Sequence, residues 1–346
     1  MRRLNIYYQC DDNWAFFMGT SITSLLENAS TEIQYNIYIA TTDLSDSNRN
    51  KFHVLLKSYP HIHCKIIYMD AAKVEGEIRT WNLPTHRYRN VTYYKLLIDW
   101  FFKDIDVDRV IEIGPDTLVM GDLSELIDFD FCGNPIAMNW SEKIYNRRFK
   151  RSYKYCIAEM VFFDLEEWRK HHCEERLVNR IKKYGDIVGS KDEGLLNLEF
   201  QHEMAQLPLK YNIYGITVNF SWKNKLFFNA APVVSRQEIR KAYEHPEIIH
   251  IPGTFLYRPY EIGSEHPLKE LWWDYCKKSP WKDLSPMQPS ALGVKEKIMR
   301  WIYLHAEKEM AEIIFILFRR GYGLAMSFLY PYRKSYSKKI KQIYNE

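Results

Sequence analysis

Apolar segments of two different periods alternate along the first 250 residues, and that alternation limits the folds open to the chain. Leu4–Gln9 (LNIYYQ), Tyr35–Ala40 (YNIYIA), Cys64–Asp70 (CKIIYMD) and Arg109–Ile113 (RVIEI) are short runs rich in β-branched and aromatic residues, as strands require. Between them, Asn13–Ala29, Leu44–Tyr59 and Thr92–Phe102 space their apolar residues at helical intervals. Strands separated by helices predict an α/β fold with a mainly parallel, Rossmann-like sheet flanked by helices. Ligands of such sheets sit beyond the C-terminal strand ends. The tips to inspect are therefore Cys10–Trp14, Met69–Ala71 and Gly114–Asp116.

Further strands are expected at Asn134–Trp140, Ala158–Leu165 and Glu247–Gly253. One charged amphipathic helix is expected over Glu166–Tyr184, and another from Asp192 through Met204. Ser235 and Glu238 have the spacing of a capping box for the helix that follows. A Pro/Ser-rich stretch, Ser279–Gly293, marks a boundary, dividing the chain into residues 1–283 and a helical, basic extension, 284–346. In the extension, Ile298, Trp301, Ile302, Met310, Ile313, Ile314 and Leu317 can form an apolar face beside Lys295, Lys297, Arg300 and Lys308. Two uses stay open: an interfacial membrane anchor with a basic tail, Arg333–Glu346, or a helix pair packed on the first domain or on a partner chain.

The net charge of +4 is too mild to argue for nucleic acid. The six cysteines are scattered without a CxxC, which favours structural thiols in a reducing compartment. The N-terminus lacks the apolar core of a signal peptide, and no uncharged apolar run approaches the roughly 18–20 residues a spanning helix needs. A cytoplasmic protein is the expectation, peripheral on the inner face of the cell membrane if the extension serves as the anchor.

Four constellations could carry chemistry, and each has an ordinary reading. Asp11, Asp12 and Asn13 follow the first strand, with Trp14 beside them. They could read a nucleoside or merely cap a helix. Asp116 at a strand tip could ligate Mg²⁺ or Mn²⁺. Its position two residues upstream is Gly114, and Glu112 lies roughly 13 Å away along an extended strand, too far to share an ion. His250, Gly253 and Arg258 lie within HIPGTFLYRPY, where imidazole can bind a metal and guanidinium can neutralise a phosphate. Asp192 and Glu193 open a helix, either as cap residues or as contacts to a sugar.

In this order the segments resemble glycosyltransferase family 8, in particular the bacterial lipopolysaccharide galactosyl- and glucosyltransferases. The resemblance runs from about Leu4 to Trp281, through NIYYQCDDNW, TTDLSDSNRNKF, VTYYKLL, RVIEIGPDTLVMGDLSELID, MVFFDLEEWRKH, KDEGLLN and HIPGTFLYRPY. It implies a GT-A fold and retaining transfer of a hexose from a UDP-sugar to a glycan or glycolipid acceptor, with Mn²⁺ or Mg²⁺ at the diphosphate. By that resemblance Asp11, Asn13 and Trp14 hold the uridine, and Lys95 helps position the donor. Asp116 and His250 ligate the metal, Asp192 contacts the donor sugar, and Glu193 sits near the anomeric carbon. Gly253 and Arg258 approach the diphosphate. The chain departs from the family pattern at Gly114, which replaces the first acid of Asp–x–Asp, and at Ala158–Glu159–Met160, which replaces Asn–Ala–Gly. It departs again at Gly194, Asn139, Arg258 and Tyr260. With one acid lost, the ion is expected to be weakly held or dispensable. The alternative function is a catalytically impaired member that partners or regulates an active glycosyltransferase.

Overall fold

The computed structural model describes residues 1–81, 83, 90–140, 155–185, 191–229 and 234–329; side chains of Lys191 and of 320–329 are not described. The basic tail 333–346 lies outside the described residues. In chain order the elements are β1 (Arg2–Gln9), α1 (Ala15–Glu27), β2 (Ile33–Thr41), α2 (Asp46–Lys57), β3 (Cys64–Asp70), α3 (Ala72–Thr80), α4 (Ile98–Phe102), β4 (Arg109–Ile113) and β5 (Thr117–Val119). Then come β6 (Ile136–Trp140), β7 (Cys156–Asp164), α5 (Leu165–Lys170), α6 (Cys173–Tyr184), α7 (Lys191–Phe200), β8 (Met204–Leu207) and β9 (Ile213–Tyr214). The chain continues through α8 (Trp222–Phe228), α9 (Arg236–Glu244), β10 (Ile248–His250), α10 (Lys269–Lys278), α11 (Val294–His305) and α12 (Lys308–Leu329).

A seven-stranded sheet in the order β3-β2-β1-β4-β7-β6-β8 forms the centre. Its pairings are parallel except where β7 lies antiparallel to β4 and to β6. Period-two patterning in the strands builds two apolar layers. In β1, Leu4, Ile6 and Tyr8 face a core shared with α1, α2 and α10, while Tyr7 faces the core shared with α3, α4, α6 and α7. β5, β10 and β9 form a second, three-stranded sheet that continues from the end of β4. This small sheet decides what lies next to what at the mouth of the large one.

Two helix boundaries differ from the sequence expectation. The segment Glu166–Tyr184 is two helices, with His172 between them at φ 50°. Trp168 and Cys173 are both buried against the sheet, yet in one unbroken helix they would point about 140° apart. The break turns both inward. The helix that begins at Lys191 stops at Phe200, because Met204–Leu207 pairs as a strand with β6. Ser235 caps α9 by accepting from the Glu238 N–H, but the capping box is not closed: Glu238 Oε1 accepts from the Leu209 N–H at 3.4 Å instead.

Helices α11 and α12 pack back onto the molecule. Met299, Phe315 and Ile316 join Ile216, Phe220, Phe228, Phe255 and Leu256 in one buried cluster. Glu312 is fully buried and accepts from the Ser221 N–H (3.0 Å) and from Asn224 Nδ2 (2.7 Å). The apolar face anticipated for this region is split: Ile302 packs inward, while Ile298, Trp301, Met310 and Leu317 are exposed. No helix of the described residues is long and apolar enough to cross a membrane.

Gly19 in α1 lies beneath the Trp281 ring, which also donates from Nε1 to Asn48 Oδ1 at 3.1 Å. A Cβ on Gly19 would fall 2.2 Å from a ring carbon. Gly19→Ala therefore forces overpacking and should cost about 1–3 kcal/mol. Chemical denaturation should show a lowered midpoint with an unchanged slope.

Candidate functional site

At the C-terminal ends of β1 and β4 the chain opens a cavity of about 410 Å³. Of the residues in the four constellations and Lys95, all line it except Asp12 and Asn13, and Asn13 is exposed. Asp12 has a structural task instead. Its Oδ1 accepts from the Ser45 N–H (2.9 Å) and from Asn48 Nδ2 (2.7 Å), fixing the β1 turn to the start of α2. Asp11 and Trp14 face the cavity, and Trp14 carries the Arg258 guanidinium 4.6 Å above its ring.

The turn Val91–Leu97 is a 3₁₀ segment held by Gln9, whose Oε1 accepts from the Lys95 N–H at 2.9 Å. That delivers Lys95 to the interior. Its Nζ lies 2.7 Å from the Ala158 carbonyl, 2.8 Å from Glu112 Oε1 and 3.2 Å from Asp192 Oδ2. Burial acts to lower the lysine pKa, but Glu112 and Asp192 outweigh it and hold the ammonium well above its usual range. Glu112 is fully buried, and burial pushes its carboxyl upward against the pull of Lys95. Asp192 also accepts from Thr92 Oγ1 at 3.0 Å. An ammonium has three donors, and these three partners engage them. Lys95 thus orients Asp192 at the cavity wall.

The metal-type groups gather by strand pairing. Antiparallel pairing of β10 with β5 sets His250 opposite Thr117, and the Ile251 N–H donates to the Asp116 carbonyl at 2.7 Å. His250 Nε2 consequently lies 3.6 Å from Asp116 Oδ2. On the other side, β7 continues its ladder beyond Ile113, with the Gly114 N–H donating to the Glu159 carbonyl at 2.9 Å. This places Glu159 Oε2 3.5 Å from His250 Nε2. One ligand atom from each of Asp116, Glu159 and His250 can be chosen so that all lie within 4.8 Å of one another. Burial pushes the His250 pKa down, but Glu159 and Asp116 raise it further. Asp116 is held below the usual carboxylate range: burial opposes this, and His250 and Arg258 prevail. Glu159 is raised by burial and by the neighbouring acids Asp116 and Glu193, against the pull of His250.

Arg258 reaches Asp116 Oδ2 from 3.5 Å and is itself buried. Gly253 leaves room for it, since a Cβ there would fall 2.9 Å from the guanidinium carbon. Tyr260 belongs to an aromatic cluster with Phe16, Phe17 and Trp272. Asn139 lies away from the cavity and donates to the carbonyls of Leu207 and Pro208, tying β6 to the segment after β8. Glu193 lines the cavity beside Asp192. Two residues at the site, Glu159 beside His250 and Glu112 as the partner of Lys95, are not among those the sequence motifs single out. A buried strand acid such as Glu112 demands a cation, and that signal was present in RVIEI.

The model of glycosyl transferase family 8 matches residues 5–255. The chain belongs to glycosyltransferase family 8. General stress protein A of Bacillus subtilis is 22% identical over 81% of this chain and 96% of its own length. The lipopolysaccharide 1,3-galactosyltransferase of Salmonella typhimurium is 23% identical over 83% of this chain and 82% of its own. Among solved structures, the galactosyltransferase LgtC, in complex with donor and acceptor sugar analogues, has a TM-score of 0.64 at 16% identity; the match covers 84% of this chain and 98% of LgtC. That likeness shows the fold, GT-A, with its mostly parallel sheet.

Removing the Lys95 cation leaves two acids facing each other in the interior. Lys95→Met should destabilise the fold by about 3–5 kcal/mol, as expected when one member of a buried ion pair is lost. Adding Glu112→Gln should recover a large part. Urea unfolding of the single and double variants measures this coupling.

Proposed function

We propose that this family 8 glycosyltransferase moves a hexosyl group from a UDP-sugar to a hydroxyl of a surface glycan or glycolipid, with retention of anomeric configuration. The observation that carries this reading is one cavity that gathers a nucleoside-type wall (Asp11, Trp14), a phosphate-type cation (Arg258), a His/acid cluster and a sugar-type acid pair (Asp192, Glu193). Its size suits a nucleotide sugar better than a flat protein partner.

The charges in the cavity favour a divalent ion. Asp11, Glu112, Asp116, Glu159, Asp192 and Glu193 line it against Lys95, Arg258 and His250, and Lys95 is committed to two of the acids. A diphosphate entering such a wall meets repulsion that Arg258 alone offsets poorly. Imidazole and carboxylate oxygens are donors that Mn²⁺ or Mg²⁺ accepts, and His250 with Asp116 fits that group. When bound, the ion would neutralise charge on the leaving diphosphate. The chain's own residues do the rest. Asp11 accepts hydrogen bonds from the nucleoside, Trp14 offers a face already backed by Arg258, and Arg258 meets a phosphate oxygen. Asp192, held by Thr92 and Lys95, accepts from a sugar hydroxyl.

Two routes at the anomeric carbon fit this wall. Glu193 could act as a carboxylate that stabilises or traps an oxocarbenium-like centre. In front-side attack, the leaving diphosphate would itself take the acceptor proton, with Arg258 or a bound ion neutralising its charge, and the Glu193 carboxylate would not be needed. Glu193→Gln separates them: a fall in turnover of about 10²-fold or more at unchanged donor affinity supports the carboxylate route, and an unchanged rate supports the second.

The exposed Ile298, Trp301, Leu304, Met310, Leu317 and Phe318 on α11 and α12, followed by the basic tail, support docking on an anionic membrane that presents the acceptor. Flotation with vesicles containing anionic lipid should carry the full chain, and Trp301→Ser with Phe318→Ser should reduce it.

Gly114 is the observation favouring a non-catalytic partner of another transferase. Calorimetry with UDP and UDP-hexoses, with and without Mn²⁺, followed by donor hydrolysis, decides between the readings. Binding with turnover supports the enzyme, and Asp11→Ala should then weaken UDP binding by about tenfold, the worth of one charge-assisted hydrogen bond. Absence of UDP binding under every condition defeats the enzyme reading.

A further inference from the structure

We propose that Glu159 on β7 takes the place of the acid missing at position 114, so that the divalent ion is held by Asp116, His250 and Glu159. The inference rests on the metal-assisted reading above and adds a residue that reading does not need.

Strand geometry makes the exchange feasible. In an antiparallel ladder, residues directly opposite each other send their side chains to the same face. Ile113 pairs with Met160, and the Gly114 N–H bonds the Glu159 carbonyl, so 114 and 159 are the next facing positions. A Cβ built on Gly114 would lie 3.2 Å from Asp116 Oδ1 and 3.4 Å from Glu159 Oε2. The Glu159 carboxylate therefore already occupies the neighbourhood into which a side chain at 114 would project. Glutamate has one methylene more than aspartate, which helps it reach across the ladder, where strands stand about 4.8 Å apart.

The distances suit one ion. Ligands about 2.1 Å from a shared Mg²⁺ lie at most about 4.2 Å apart, and the chosen ligand atoms of these three side chains lie within 4.8 Å. Small side-chain rotations close the difference. His250 Nε2 lies 3.6 Å from Asp116 and 3.5 Å from Glu159, so it stands within reach of both carboxylates. Glu159 keeps 34% of its side chain exposed on the cavity wall, which leaves it room to move onto an ion. An aspartate at 114 would compete with the Glu159 side chain for the same space, since its Cβ alone would lie 3.4 Å from Glu159 Oε2.

The test is Mn²⁺ titration of the full chain, read by the paramagnetic resonance signal of free Mn²⁺, first without nucleotide and then with UDP. Thermal unfolding in chelator confirms that each variant folds. Glu159→Ala should weaken Mn²⁺ binding roughly tenfold or more, because affinity follows the number of charged ligands. The double variant Gly114→Asp/Glu159→Ala should regain most of it, and Gly114→Asp alone should gain little. Wild-type Mn²⁺ affinity in Glu159→Ala, or a double variant as weak as the single, overturns the proposal. So does a wild-type chain that binds no Mn²⁺ with or without UDP. Should the nucleotide fail to bind while the Mn²⁺ pattern holds, the transferase reading falls and the ligand assignment stands.

Discussion

Backbone hydrogen bonds just past Ile113 govern the chemistry of this molecule. One ladder runs from Gly114 to Glu159, and a second runs from the Asp116–Thr117 segment to His250 and Ile251. They gather residues far apart in the chain onto a few ångströms of wall. No side-chain attraction could do this alone, because the acids repel one another and the imidazole is buried at an energetic cost. Backbone pairing supplies the alignment, and the apolar residues behind it, Ile111, Ile113, Leu118, Val119, Ile248 and Ile249, hold the pairing in place.

The cost of that alignment is visible in the electrostatics. Asp116 ionises easily because His250 and Arg258 face it, whereas Glu159 and Glu112 are pushed toward their neutral forms. Lys95 prevents the inner half of the cavity from becoming a cluster of unpaired acids. It is reached through Gln9, which joins the end of β1 to the turn carrying the lysine. Arg258 plays the corresponding part at the outer half, packed between the Trp14 ring and the bare Gly253 backbone. The two cations act differently: one is consumed by the protein, the other stands where a ligand can share it.

Much of this was legible in the letters. Period-two runs gave the strands, with Cys64–Asp70 and Arg109–Ile113 at their observed limits. Turn residues at the strand tips pointed to Asp11, Trp14 and Asp116, all of which line the cavity. What could not be read depends on pairing between distant segments. β7 is antiparallel to its neighbours, and nothing local announces it, so the position facing Gly114 could not be named. The helix break at His172 follows from burying both Trp168 and Cys173, which the amphipathic period alone does not require. Asn13 looked like its neighbours, yet the 3₁₀ turn Asp12–Trp14 points it to solvent. The inward half of the extension is likewise set by a distant surface, the Phe220–Phe228 face that Phe315 meets.

The register between β4 and β7 has a consequence for how such a site is written down. Asp–x–Asp is a line of text, but the wall it describes is a patch with width as well as length. A strand neighbour can change a letter on one line and answer for it on another, leaving the patch chemically whole. In this chain the residue facing that glycine across the ladder is Glu159, and it is strand pairing, not the motif, that brings an acid there.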